Sequence, residues 1–146
     1  MENLAEKNAK SLIFEKFKVQ LMRDGKKTKA EHIFNKIVQE ISLRGESPSQ
    51  IILLAVNNVK PLVEVRNIRV KGNTYPVPFP LSLKRQLTFA IRQLIETCQN
   101  KKKELIKSLA FELISSAKGE SETIKKTASF HRLARQNRLF IHYRWF

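Results

Sequence analysis

Arg66, Arg69 and Lys71 lie within a short stretch, Lys60 to Pro80, in which Glu64 is the only acid. Guanidinium and ammonium groups gathered on one projecting element offer hydrogen-bond donors and positive charge to phosphate, the chemistry of nucleic-acid backbone binding. On an ordinary surface hairpin the same cations would simply be solvated, and this stretch alone does not choose between the two readings. Lys84, Arg85 and Arg92, then Lys101, Lys102 and Lys103, extend the set, and from Arg66 to Lys103 the only acid is Glu96. So one-sided a run is a stripe rather than a scatter, and it points to a polyanion. Two further groups stand apart from it. Lys26, Lys27 and Lys29 crowd a predicted helix–helix corner, which could also be a solvated loop. Lys125, Lys126, Arg132, Arg135, Arg138 and Arg144 populate a C-terminal stretch with no acid after Glu122.

The residues of catalysis are not arranged for it. The four glycines are dispersed, so no glycine-rich loop can cradle a phosphate. His32, His131 and His142 lack carboxylate or cysteine partners at ligand spacing. No serine sits in a nucleophile elbow. The lone Cys98 rules out an intramolecular disulfide and a cysteine-cluster metal site, and its spacing behind Leu94 and Ile95 suits a buried thiol. The chain reads as a non-enzyme without cofactor or metal. Its 146 residues suit a single domain, 1–146, with a core of useful size. A formal charge of +15 and a pI near 10.3 oppose compaction by self-repulsion unless a polyanion neutralises them. Nucleic acid is the first candidate and an anionic membrane surface the second. No apolar run approaches the ~20 residues of a spanning helix, and the N-terminus, with Glu2 and Glu6, resembles neither a secretory signal nor a transit peptide.

The elements that would carry these cations follow from periodicity. Ala9 to Arg23 predicts a helix with Ile13, Phe17 and Leu21 on one stripe, stopped at Asp24-Gly25. Thr28 with Glu31 predicts a capping box for a second helix, running to about Leu43 on Ile33, Ile37 and Ile41, widened by Phe34 and Val38 and closed by Gly45. Ser47-Pro48-Ser49-Gln50 predicts a helix start, with Ser47 as cap and Pro48 at the first helical position. Ile51, Ile52, Leu54, Ala55, Val56 and Val59 make that short helix apolar over much of its surface, hence central, until Pro61 ends it.

A two-stranded hairpin, about residues 62–80, comes next. Val63, Val65, Ile68 and Val70 are β-branched, Lys71-Gly72-Asn73 signals the turn, and Tyr75, Val77 and Phe79 return. Pro76, Pro78 and Pro80 alternate with those three, so one edge of the return strand lacks donors and further pairing there is blocked. An isolated hairpin is marginal, so its base must rest on helices.

Ser82 predicts the cap of a helix of about seventeen residues, with Leu83, Leu87, Ile91, Leu94, Ile95 and Cys98 inward and Lys84, Arg85, Thr88 and Arg92 outward. A fifth helix opens at Glu104, buries Leu105, Ile106, Leu109, Ala110, Leu113, Ile114 and Ala117, and ends at Lys118-Gly119. Ser121 caps a sixth, whose Ile124, Ala128, Leu133, Ala134 and Ile141 are too few for full burial and leave one side for a partner. The ending His142-Tyr143-Arg144-Trp145-Phe146 could stack on bases or pack onto the domain. The expected fold is mainly α: six helices in one domain, with a protruding hairpin between the third and fourth.

Four blocks of residues together resemble the universal S-seven family of small-ribosomal-subunit proteins. They are Leu21-Met22 with Asp24-Gly25-Lys26-Lys27 and Ala30-Glu31; Asn58-Val59-Lys60-Pro61 with Val63-Glu64-Val65-Arg66, Gly72, Thr74-Tyr75 and Val77-Pro78; Leu109-Ala110 with Glu112-Leu113; and Lys125-Lys126, His131-Arg132-Leu133-Ala134, Asn137-Arg138, Phe140 and His142-Tyr143-Arg144-Trp145. They run in the family's order from about Phe14 to Trp145.

The resemblance implies a helical domain with a protruding ribbon that binds the 3′ major domain of small-subunit ribosomal RNA early in head assembly. It implies neighbouring ribosomal proteins of the head and platform, and a ribbon lying near the exit tRNA site and the mRNA path. Carried over by motif, Lys26, Lys27, Arg66, Arg69, Lys71, Lys84 and Arg85 would touch RNA, as would Lys125, Lys126 and Arg132. By charge and position Lys29, Arg92, Arg138 and Arg144 complete the candidate set.

The chain departs from the family in three places. Its N-terminus is short and mildly acidic where bacterial members carry a basic arm. Gln93 follows Arg92 where the family has an Arg-Trp pair. The chain stops just after Trp145, without the extension of some bacterial members. These departures, with a residue choice heavy in Lys, Ile, Asn and Phe, whose codons are AT-rich, resemble a mitochondrially encoded member, with plastid and bacterial members as successive alternatives. The competing class is a DNA-bending architectural protein with a basic β-arm, although such proteins are dimers of shorter chains.

Overall fold

The computed structural model describes residues 4–99 and 104–144, with side chains from residue 11 onward. The elements are α1 (Leu4–Leu21), α2 (Lys27–Leu43), α3 (Pro48–Val59), β1 (Val63–Val70), β2 (Asn73–Pro80), α4 (Leu83–Gln99), α5 (Leu105–Lys118) and α6 (Glu122–Gln136), followed by a 3₁₀ helix over Arg138–Tyr143. The fold is thus mainly helical, with one antiparallel hairpin between the third and fourth helices.

The core is apolar and helical. Ile13, Phe17 and Leu21 of α1 close over Phe34, Ile37 and Ile41 of α2. The two aromatic rings of α1 meet that of α2 directly, Phe14–Phe34 at 5.6 Å and Phe17–Phe34 at 6.0 Å between centroids. Helix α3 packs mainly on α5, which also meets α2 and α4. Burial of Ile52, Val56, Val59, Leu109 and Leu113 at this centre supplies about 1.5–3 kcal/mol for each large side chain removed from water.

Several expected details differ. Helix α1 begins at Leu4 rather than Ala9, because the intervening residues are helix-compatible and hold no Gly or Pro. It ends at Leu21 rather than Arg23. The chain then reverses through Asp24 and Gly25, both at positive φ (53° and 70°). That reversal delivers the chain into α2 already at Lys27, so Thr28 lies inside the helix and forms no capping box; the cap residue, Lys26, has no side-chain cap bond. Glu31 instead approaches Lys18 at 4.0 Å. Ser47 stands at the expected cap position of α3, but its hydroxyl donates to Gln50 Oε1 at 2.6 Å rather than accepting from the backbone. Leu54 and Leu83, expected inside, are 52% and 77% exposed. The burial of α4 turns instead on Gln86, Ala90, Ile91 and Gln93 through Cys98, apart from Glu96.

The sixth helix starts as the sequence indicates, with Ser121 Oγ accepting from Ile124 N–H at 3.2 Å. A second lock sits beneath it. The Glu112 carboxylate, 2% exposed, accepts from Thr123 N–H at 3.1 Å and from Thr123 Oγ1 at 2.8 Å. A carboxylate accepting first-turn N–H donors satisfies groups that no helical carbonyl can reach.

In the ribbon, Val63 pairs with Pro80, Val65 with Pro78 and Asn67 with Pro76. Proline has no N–H, so these are the pairs that exchange no ladder bonds, and the intervening Glu64–Phe79, Arg66–Val77 and Ile68–Tyr75 pairs carry the ladder. Lys71 and Gly72, at φ 49° and 89°, make the turn, so Asn73 already belongs to β2. Two positive-φ residues match the right-handed twist of the strands they join.

Candidate nucleic-acid interface

The ribbon is braced along its stem and open at its turn. Helix α6 packs on β1, and the 3₁₀ helix packs on β2. At its base, Leu62 N–H donates to His131 Nε2 at 3.1 Å, which ties the entry of β1 to α6. Farther along, Tyr75 stacks on Tyr143 at 4.9 Å and meets Phe140 at 5.2 Å. The C-terminal aromatics therefore pack on the ribbon; Trp145 and Phe146 lie outside the described residues. Beyond the brace, Arg69, Lys71, Gly72, Asn73 and Thr74 are exposed. Neither Arg69 nor Lys71 has an ion pair among the described residues.

Alternation along the strands puts Glu64 and Arg66 on the face that carries Val77 and Phe79. Arg66 Nε donates to Glu64 Oε1, and Arg85, from the first turn of α4, reaches the same oxygen at 3.1 Å. The Arg66 guanidinium lies 5.1 Å from the Phe79 ring centre. Arg144 lies 5.5 Å from that ring centre and donates through Nε to Pro78 O at 2.5 Å. Phe79 thus serves as a platform for two guanidiniums, the stacking that Arg favours over Lys.

Beside Glu64 a depression is lined by Lys16, Ser82, Lys84, Arg85, Thr88, Phe89 and Arg92. Lys16 donates to Lys84 O at 3.1 Å and to Thr88 Oγ1 at 3.3 Å, so α1 adds a fixed cation to a surface otherwise built by the hairpin base and α4. Nothing in the linear sequence marks Lys16; only the packing of α1 on α4 brings it there. Arg92 pairs with Glu96 at 3.5 Å and remains mostly exposed.

The lysine corner divides. Lys26 and Lys29 line one hollow with Arg23, Ile33 and Leu105, whereas Lys27 lines another with Glu15, Lys18, Met22 and Glu31. On α6, Lys125 and Arg132 are exposed, as is Arg138 beyond it. Lys126 is half-buried, donating to Thr97 Oγ1 at 3.1 Å and pairing with Glu122 at 3.3 Å, which makes it a strut as well as a cation. Lys101, Lys102 and Lys103 fall outside the described residues.

The structure therefore joins Lys16, Lys84, Arg85 and Arg92 on one surface with Glu64, and ties Arg66 and Arg144 to the hairpin stem beside it. It sets the corner and α6 cations apart. A displaced pKa lies elsewhere: Lys107, at the start of α5, is raised by its side-chain hydrogen bond to Glu104 and by that acid's charge. No group of His, Cys, Asp or Glu among the described residues could hold a metal, and no helix among them is long and apolar enough to cross a membrane.

Comparison with known proteins matches residues 2–138 to the family described as ribosomal protein S7p/S5e. The chain is 38% identical over 136 residues to the small ribosomal subunit protein uS7 of Petrotoga mobilis, covering 92% of this chain and 88% of that protein. Identity to the uS7 of Nautilia profundicola is 38% over 137 residues, with the same coverage. Identity to the Thermus thermophilus uS7 is 40% over 130 residues, covering 86% and 82%. These relatives are bacterial, which favours the bacterial alternative over the mitochondrial one drawn from the departures and the residue usage. An AT-rich residue choice reports codon bias, which is not confined to organelles.

Proposed function

The chain belongs to the ribosomal protein S7p/S5e family, and from that premise we propose that it is a structural, non-enzymatic constituent of the small ribosomal subunit in a bacterial cytoplasm. In this reading residues 1–146 act as one RNA-binding domain on the 3′ major domain of small-subunit ribosomal RNA. It joins the subunit head early and lies against neighbouring head and platform proteins. The hairpin turn lies near the exit tRNA and the mRNA path.

The observation that carries the reading is the gathering of cations from α1, β1 and α4 around the hairpin base, on a chain of net charge +15. Cations drawn from three elements and held by side-chain contacts form a surface matched to a folded polyanion. Lys16, Arg66, Lys84, Arg85 and Arg92 form its centre, and Arg69 and Lys71 extend it along the ribbon to the turn. Lys26, Lys27, Lys29, Lys125, Lys126, Arg132, Arg138 and Arg144 are its outlying contacts.

The test is a salt titration of binding to a 3′ major domain transcript, with duplex DNA as competitor. Arg69→Glu with Lys71→Glu should weaken binding and flatten the log–log salt slope by about one unit for each phosphate that is no longer neutralised. An unchanged slope would remove the hairpin turn from the interface. An obligate dimer that prefers duplex DNA would replace the ribosomal reading with that of a DNA-bending arm.

A further inference from the structure

We propose that Glu64 is a positioning residue that makes RNA binding selective, an inference that rests on the RNA-binding reading above. It is the only acid among the residues lining the basic depression, and it is 8% exposed. A carboxylate so far removed from water is costly unless paired and hydrogen-bonded. Its partners come from two elements: Arg66 from β1 and Arg85 from α4 share one carboxylate oxygen.

Both guanidiniums keep an outward face, their side chains being 44% and 56% exposed. A guanidinium carries several N–H donors in a rigid plane. With one edge held by Glu64, the remaining donors of each arginine point in a fixed direction, and Phe79 further sets the plane of Arg66 at 5.1 Å. The trio carries one net positive charge where the two arginines alone would carry two.

Both effects act on selectivity. Reduced charge lowers attraction to any phosphate chain, and fixed donors reward only phosphates spaced to meet them. Arg69 and Lys71 at the turn have no such partner among the described residues and so attract RNA with little regard to shape. The acid therefore converts part of a nonspecific basic surface into one that discriminates.

Two substitutions separate charge from geometry. Affinity is measured for a 3′ major domain transcript and for a mixed-sequence RNA of equal length, across a salt series, together with the melting temperature of each free protein. Glu64→Gln should bind the mixed-sequence RNA about threefold to tenfold more tightly at low salt, with a salt slope steeper by up to about one unit, and the ratio of the two affinities should fall. Glu64→Asp keeps the charge but withdraws the carboxylate by one methylene. Its ratio should also fall, with the mixed-sequence slope unchanged.

A wild-type ratio in both variants, with wild-type melting temperatures, overturns the proposal. Should neither variant fold, Arg85→Lys decides: charge is conserved and the fixed donor plane is removed, so the ratio should fall at constant slope, and a retained ratio refutes the idea. Failure of the wild-type protein to prefer the ribosomal transcript refutes the underlying RNA reading instead.

Discussion

The helical centre and the hairpin face are held together by different physics. At the centre, α3 and α5 meet through Ile52, Val56, Val59, Leu109 and Leu113, all essentially without exposure. Their contribution is area and shape, spread over many contacts. On the hairpin face few residues are fully buried, and order comes from single polar and aromatic contacts: Glu64 with two arginines, His131 with Leu62, Tyr75 with Tyr143. The second region places like charges close together, a repulsion that a bound polyanion would relieve.

That contrast can be broken at its strongest point first. Leu109→Ala should lower stability by about 2–5 kcal/mol, the range for a fully buried leucine whose cavity cannot collapse, read from urea denaturation. A decrease like that of a surface change would mean the centre is loosely packed. Next is Glu112→Ala, which removes the carboxylate that holds the first turn of α6; it should cost about 1.5–3 kcal/mol and speed hydrogen exchange at Thr123 and Ile124. Tyr75→Ala should cost only about 1 kcal/mol, the worth of its ring stacking, yet hasten proteolysis after residue 136, since the 3₁₀ helix loses its support. Equal protection of that segment would show that the tail does not depend on the ribbon.

The smallest effect should have the opposite sign. The Ser116 hydroxyl is buried with no hydrogen-bond partner among the described residues. Ser116→Ala removes an unsatisfied group and should raise stability by up to about 1 kcal/mol, seen as a higher melting temperature. A lower one would reveal a bound water or a strained backbone there.

The two regions were also unequally legible. Helical spacing marks the inward residues of α1 and α2 because burial recurs every turn, and alternating prolines mark the free edge of β2 because each lacks an N–H. Ser121 caps α6 as its type suggests, since capping is local. Thr28 misled for the same reason: its capping pattern is local, but the reversal at Asp24 and Gly25 starts the helix sooner. Leu54 and Leu83 misled because an apolar type does not say which side of a helix the neighbours occupy.

The interface lies at long sequence distance and was legible only as charge. The sequence shows Glu64 as a lone acid among bases; it does not show that Arg85 from another element shares its oxygen. Lys16 and His131 gain their roles from partners that are distant in the chain, Thr88 and Leu62. Charge runs marked which cations to suspect and the family resemblance narrowed them, while the packing of α1 on α4 and of α6 on β1 shows how they are held.

The prolines of β2 have a further consequence. An unpaired strand edge is where copies of a chain can stitch together into fibres. Here a passing backbone meets a pyrrolidine ring at every second residue along the edge, at Pro76, Pro78 and Pro80, and finds no N–H to accept from, while Pro78 O is already taken by Arg144. Strand addition along that side of β2 is thereby disfavoured.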